Sequence, residues 1–552
     1  MWAFPILLVI PNIVLCFTEG YGIAGIVANL MLPFGVYTLL CSWSRNIGRT
    51  VWLCLPLSIY AAFQIVLTFL YGESIIAIDM FLNVATTNFG EATELLANLG
   101  TAICVVVVLY LPPLVWGAAL MRAHRHTARS PRRTARKVGA MATVIGVVAT
   151  IAACASSRGY SPTRHIFPIN VISNTAGAVT RYHDTQAYKD TSAAFRFNSR
   201  SAHAPGENEV YVLIVGETCR ADNWQLLGYE RPTNPSLYGR TDIIACPRAL
   251  SESNTTHKSV PLMLSPLSAE TFGDSIYFVR SIFDAFNEAG FHTAFISNQQ
   301  RNGSFIDFFG EQADTCHFIA DDPRAERNDM HLLALLRRQL SDAGSGKQFI
   351  VLHSYGSHFS YKERYEPCFR KFTPDHDDNA SRGNRAQLIN AYDNSIVATD
   401  SLIAGVINSL SALPDSVSAA LMFVPDHGED IFDDDRERFL HASPNPTYWQ
   451  IHVPIVMWMS EHYRTRHPLE YTAALNNSHR NISSSRSVFD TLLSLAGICT
   501  DHSRPWRALT DTAYREEPRV YLNDYNEGIR LKFSGMHTED FEMFRNKDIC
   551  VE

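Results

Sequence analysis

Two short stretches of the chain end in side chains able to bind a metal ion or a phosphoryl group. Glu217 follows the apolar run 211–215 and Gly216, and Asp426 and His427 follow the run 420–424 and Pro425. Runs of β-branched and apolar residues read as buried strands. In open α/β sheets, ligands bind outside the carboxyl ends of the strands. Two carboxylates and an imidazole delivered there suit Zn²⁺, whose catalytic sites combine His and carboxylate ligands with one open position. The hydroxyl-rich turn within residues 246–265 adds Thr255 and Thr256 at the start of an apolar helical stretch. A threonine there lies near exposed N–H groups and the positive helix end. It is either a simple N-cap or, beside a metal, a hydroxyl of lowered pKa that can act as a nucleophile. His353 and His358, after the run 348–352, and His441 are candidates to hold a second metal, bind a phosphoryl oxygen or protonate a leaving group.

The elements that must position these residues alternate along the chain. Strand candidates are 211–215, 292–297, 348–353, 420–424 and 451–458. Helix candidates are 275–289, 329–343, 385–410 and 487–496. Such alternation predicts a mostly parallel, doubly wound sheet. Residues 157–207 read as a connector with an amphipathic helix over 180–197. No internal repeat or low-complexity tract is visible.

The first 156 residues are different in kind. Five apolar stretches, 2–17, 22–43, 51–71, 99–121 and 138–156, approach the roughly 20 residues needed to cross a bilayer. The first lacks the positive charge that a signal peptide needs. Loops 44–50 and 122–137 are basic, so the positive-inside rule puts them in the cytoplasm and everything after residue 157 on the far side, which in a bacterium is the periplasm. Residues 72–97 are too polar to span. Met80, Phe81, Val84, Phe89 and Leu95 recur there at helical spacing, as in an interfacial helix or an ordinary loop. The net charge of −8 speaks against a nucleic-acid partner. Of 11 cysteines, six (Cys219, Cys246, Cys316, Cys368, Cys499 and Cys550) fall in the exported part, where disulfides are expected.

Residues 216–223 (GETCRADN) and 228–235 (GYERPTNP) resemble the GETxRxxN and GYxRxTxP signature of the membrane-bound phosphoethanolamine transferases of Gram-negative bacteria. These belong to the alkaline phosphatase–sulfatase superfamily. Residues 425–429 (PDHGE), the pair His353 and His358, and residues 79–92 are similar to further blocks of that family. The resemblance implies a five-helix membrane domain (1–156), a connector (157–207) and an α/β sulfatase-like periplasmic domain with a mostly parallel sheet (208–552). It implies Glu217, Thr256, Asp426 and His427 as ligands of one zinc, with Thr256 as nucleophile, Thr255 its competitor and Asn298 in headgroup contact. His353, His358 and His441 would be catalytic or hold a second metal. Where the family's best-known branch has a cysteine pair, this chain has Ser251 and Leu262. The implied reaction transfers phosphoethanolamine from phosphatidylethanolamine to a cell-envelope acceptor, lipopolysaccharide lipid A or core first among them, at the inner membrane. Two alternatives stay open: a phosphoglycerol transferase of the same superfamily, and a non-catalytic membrane sensor with a degenerate domain. Sulfatase activity is disfavoured because Cys246-Pro-Arg lacks the CxPSR context needed for formylglycine.

Overall fold

The structure is a computed structural model. It describes every residue except 1, 73–74, 87–98, 158, 323, 326–327, 343–345 and 378–379. The chain divides into two compact units. One comprises Met1–Ala85, Phe89–Tyr182 and Asp434–Arg438. The other comprises Thr86–Asn88, His183–Asp433 and Phe439–Glu552.

Among the described residues of the first unit, three helices are long and apolar enough to cross a membrane: α1 (Ile23–Trp43), α2 (Gly100–Arg122) and α3 (Arg129–Ser156). A fourth crossing results if Ile47–Leu53 and Leu55–Tyr71, bent by 57°, count as one. Five spans were expected; three, or four with the bent pair, meet this test, and Ala3–Thr18 is apolar but shorter. The break at Cys54 precedes Pro56, which has no N–H to continue the ladder. Residues 2–17 form two short helices, Ala3–Leu8 and Ile10–Thr18, with Pro11 in the first turn of the second. Helices α1 and α3 pack through small residues. A Cβ on Gly146 would meet the Leu32 backbone nitrogen at 2.4 Å, so their backbones touch where no side chain intervenes. Of the expected interfacial segment 72–97, Ile78–Thr86 is helical, and most of the rest lies outside the described residues. Asp79 is buried and paired with Arg181 at 2.8 Å.

The second unit is built on an eight-stranded sheet. Its strands are β1 (Asn208–Gly216), β2 (Ile243–Leu250), β3 (His292–Ser297), β4 (Thr315–Phe318), β5 (Lys347–His353), β6 (Val417–Pro425), β7 (His452–Met459) and β8 (Ile482–Ser483). Their order is β8-β2-β7-β6-β1-β5-β3-β4. β7 runs antiparallel to both of its neighbours, and the other pairings are parallel. The sheet is thus mixed. All five expected strands are present. β2 escaped prediction because Pro247 and Arg248 interrupt its apolar run; its pairing with β7 shifts register beside Pro454, as strand prolines at bulges do.

Strand β1 explains why its sequence is apolar without alternation. Tyr211, Leu213 and Val215 pack into one core layer, and Val210, Val212 and Ile214 into the other. A strand covered on both faces needs apolar residues at every position. The first layer includes helices α4 (Thr256–Met263) and α6 (Ser484–Leu495), and the second is built on α5 (Arg385–Ser411). The helix expected over 275–289 is a 3₁₀ turn, Gly273–Tyr277, followed by Ile282–Glu288. That over 180–197 is replaced by Ile169–Gln186 and Tyr188–Thr191.

All 11 cysteines are free, which corrects the expected disulfides. The two most buried in this unit cannot meet. Cys219 packs into one core layer and accepts a hydrogen bond from Trp224 Nε1 at 3.1 Å, whereas Cys246 packs into the other. Burial pushes both thiols up to about 12.

Candidate functional site

Parallel pairing of β1 with β6 sets Gly216 opposite Pro425. The next residue on each strand, Glu217 and Asp426, therefore emerges side by side at the carboxyl edge. The two tips are tied together: Asp426 N donates to Gly216 O at 3.1 Å, Cys219 N to His427 O at 2.8 Å, and Thr218 N to Asp426 Oδ1 at 3.0 Å. The turn needs glycine twice. A Cβ on Gly428 would meet Trp449 O at 2.2 Å. Gly356, at φ +51°, lies so close to Glu217 that a Cβ would meet its carbonyl oxygen at 2.6 Å.

Glu217, Asp426 and His427 are at most 1 % exposed, and one candidate ligand atom from each lies within 4.8 Å of the others. His427 Nδ1 faces Gly428 O at 2.9 Å. The carbonyl can only accept, so Nδ1 carries the proton and Nε2 keeps its lone pair. That Nε2 is 3.2 Å from Asp426 Oδ2 and 3.7 Å from Glu217 Oε1. Asp426 Oδ2 is buried and has no hydrogen-bond partner. Two lone-pair atoms facing each other in a buried site repel unless a cation lies between them. Burial, with the charge of Asp426 added, pushes Glu217 up to about 8, and burial pushes Asp426 up to about 7. The residues present therefore fit a zinc ion by donor type, burial and an orphaned carboxylate oxygen.

Thr256 opens α4. Its hydroxyl is 3.3 and 3.4 Å from the two Glu217 oxygens and 3.2 Å from His427 Nε2. Thr255, the N-cap, makes no cap hydrogen bond and turns its hydroxyl to Ser253 at 3.2 Å. The alternatives left open by spacing are thus separated: Thr256 joins the carboxylates and Thr255 does not.

The histidines divide as well. His441 lies beside His427, with ring centroids 4.2 Å apart and planes tilted by 37°, and is held through Nδ1 by Glu429 at 3.1 Å. His358 stands 5.8 Å from His441, with its Nδ1 on Phe359 O at 2.6 Å. His353 is directed elsewhere. Its Nδ1 meets Ser297 Oγ at 3.2 Å, its ring lies near Phe295, and burial depresses its pKa to about 3. Asn298 is buried and donates to Asp329 at 2.7 Å. Asp329 in turn accepts from the N–H groups of Tyr355 and Gly356, which shapes the loop behind Glu217.

Sequence reasoning passed over several residues. Gln299, next to Asn298, donates Nε2 to Glu217 Oε2 at 2.7 Å. Glu429 is buried, accepts from Tyr361 at 2.8 Å and is pushed up to about 8 by burial. Ser251 donates to Asp426 O at 2.6 Å. Arg220 is buried over Trp449 and donates to Glu429 O at 3.1 Å. The carboxyl-edge rule would have found Gln299, two residues past the end of β3.

A carboxylate–imidazole centre at the carboxyl edge of a mixed α/β sheet, with a hydroxyl at a helix N-terminus beside it, defines a metal-dependent enzyme class acting on phosphate or sulfate esters. The Sulfatase family matches residues 209–498, and the chain belongs to that family. The phosphoethanolamine transferase EptA of Escherichia coli strain K12 is 32 % identical over 297 residues, which is 53 % of this chain and 54 % of that protein. The matched region thus spans about half the length of such curated relatives. The integral membrane lipooligosaccharide phosphoethanolamine transferase A of Neisseria meningitidis superposes with a TM-score of 0.70 at 22 % identity, covering 92 % of this chain and 95 % of that one. The C-terminal periplasmic domain of EptC from Escherichia coli, solved in complex with Zn, superposes with a TM-score of 0.55 at 24 % identity, covering 61 % and 96 %. These two likenesses concern the fold.

Proposed function

We propose that this protein transfers phosphoethanolamine from phosphatidylethanolamine to a lipopolysaccharide acceptor in the bacterial envelope, with Thr256 as the nucleophile. The observation that carries this reading is the Thr256 hydroxyl, 3.2 Å from His427 Nε2 and 3.3 Å from Glu217. The names of the relatives and the apolar helices of the first unit support the substrate class and a membrane location, with the catalytic unit in the periplasm. Glu217, Asp426, His427 and Thr256 would hold zinc, which when bound lowers the pKa of a coordinated hydroxyl and stabilises charge on phosphoryl oxygens.

The chain's own residues divide the remaining work. Thr256 Oγ1 attacks phosphorus, the bond from phosphorus to the diacylglycerol oxygen breaks, and phosphothreonine forms at Thr256. The hydroxyl proton of Thr256 passes to solvent as the oxygen attacks, and a single proton from His441, oriented by Glu429, or from His358 goes to the departing diacylglycerol oxygen. An acceptor oxygen then attacks the same phosphorus from the other side, and Thr256 leaves with its proton restored. Gln299 and the Gly356 loop fix Glu217 throughout.

The test is intact-mass spectrometry of the full-length protein in detergent after exposure to phosphatidylethanolamine. A phosphoethanolamine adduct on wild type and none on Thr256→Ala supports the reading. An adduct surviving in Thr256→Ala overturns the role of Thr256. An adduct formed from phosphatidylglycerol instead would establish the phosphoglycerol alternative.

A further inference from the structure

The opposite, amino-terminal end of the same sheet carries a second cluster of metal-binding side chains. His203 and Glu207 lie just before β1, and His467 lies between the helices Glu461–Arg466 and Pro468–Asn477. From Glu207 to Glu217 the chain runs the length of β1, roughly 30 Å at ~3.3 Å per residue, so this cluster is separate from the carboxyl-edge centre.

Its geometry is that of converging ligands. The His203 and His467 rings stack with centroids 4.1 Å apart and planes 24° apart. His467 Nε2 donates to Glu207 Oε1 at 3.1 Å; exchange of that proton for a metal would leave the two atoms at a separation close to the ligand–ligand edge of a tetrahedral zinc site with bonds of ~2.0–2.1 Å. One candidate ligand atom from each of the three residues lies within 4.8 Å of the others. Their side chains are only 8 %, 6 % and 12 % exposed for His203, Glu207 and His467.

The surroundings prepare the ligands. His203 Nδ1 is 2.8 Å from Glu209 Oε2, and Glu209 is wholly buried and paired with Lys347. A carboxylate on Nδ1 fixes the proton there and leaves Nε2 with a lone pair, the arrangement that supports zinc-ligating histidines. The backbone of Gly497 approaches this ring so closely that a Cβ there would come within 2.5 Å of Nε2. Ser418 donates to Glu207 Oε1 at 2.8 Å and orients it. A cavity of about 570 Å³, lined by His203, Glu207, Gly206 and Lys347 among others, adjoins the cluster and gives a fourth ligand, water, access.

We propose that His203, Glu207 and His467 form a second zinc site, which clips the segment entering β1 to the helical turn at His467. Two imidazoles with one carboxylate favour zinc over magnesium or calcium, which take all-oxygen sites.

The experiment uses full-length protein in detergent, equilibrated with a zinc buffer at submicromolar free zinc, with bound zinc per chain read by elemental analysis. Glu207→Gln keeps an oxygen for Ser418 while removing the anionic ligand, and His467→Gln removes an imidazole. Each is expected to hold one zinc fewer per chain than wild type while forming the same Thr256 adduct. Asp426→Asn is expected to lose zinc from the other centre and to keep this one. Circular dichroism confirms that each variant is folded. Equal zinc content in wild type and folded Glu207→Gln overturns the proposal, as does an extra zinc that binds only at millimolar concentration. The wild-type minus Glu207→Gln difference is read whether or not the Asp426 centre holds metal, so the two readings fail separately.

Discussion

Gln299 Nε2 donates to Glu217 Oε2 at 2.7 Å, so the end of β3 reaches across β5 to hold the carboxylate at the tip of β1. The same amide nitrogen is 3.1 Å from Ser354 O, which fixes its orientation. Residues that orient metal ligands in this way typically cost about 10- to 100-fold in metal affinity or activity when removed. Gln299→Leu is therefore expected to weaken zinc binding and turnover by that range without altering thermal stability appreciably. Titration in zinc buffers together with transfer assays checks this; unchanged affinity and rate would show that Glu217 needs no such support.

The two adjacent threonines are expected to separate by function. Thr256→Val keeps the size of the side chain and removes the hydroxyl beside His427; transfer should fall by about 10⁴-fold or more, as for other lost nucleophiles. Thr255→Val removes an N-cap that makes no cap hydrogen bond, so its cost should be about 1 kcal/mol or less, with transfer largely retained. Parallel rate and melting measurements on both variants decide the assignment.

Gly356 is left-handed at φ +51° and in backbone contact with Glu217. Gly356→Ala combines strain at that φ with a clash against Glu217 O and N, together on the order of 3 kcal/mol. A lowered melting temperature accompanied by loss of zinc affinity is the expected result. A variant that melts and binds zinc like wild type would mean that the loop moves aside at no cost.

Asp400, buried on α5, accepts hydrogen bonds from the N–H groups of Ser236 and Leu237 at 2.7 and 3.2 Å. Burial nevertheless pushes its carboxyl up to about 6, from an ordinary 3.8. A carboxylate raised on folding favours the folded state fully only below its unfolded value, and that contribution is lost as pH rises through about 6. Relative to Asp400→Asn, wild type should lose on the order of 2–3 kcal/mol between pH 4 and pH 8. Melting temperatures of both proteins across this range test the sign: a wild-type melting temperature that rises relative to that of Asp400→Asn with rising pH would be contrary to it.

The sequence by itself determined the strands that bear the site. Continuous apolar runs at 211–215 and 420–424 can be satisfied only by burial on both faces, and polar residues directly after them must emerge at an edge. Glu217, Asp426 and His427 were legible for that reason, and Thr256 was legible as one of two candidates. The membrane spans were legible only by length and hydropathy. Among the described residues three long helices and one bent pair meet those criteria where five spans were expected, and length and hydropathy do not locate the breaks, which fall beside Pro11 and Pro56. Tertiary structure alone decided which strands are neighbours, and so that β1 and β6 bring Glu217 beside Asp426 across 208 intervening positions. It also turned Thr256 toward the carboxylates and Thr255 away, sent His353 to Ser297 while bringing His441 to His427, and put Cys219 and Cys246 in different core layers. These outcomes depend on side-chain direction and on pairing between distant segments. Local periodicity carries no information about either, because the same run of residues makes an equally good strand beside any partner.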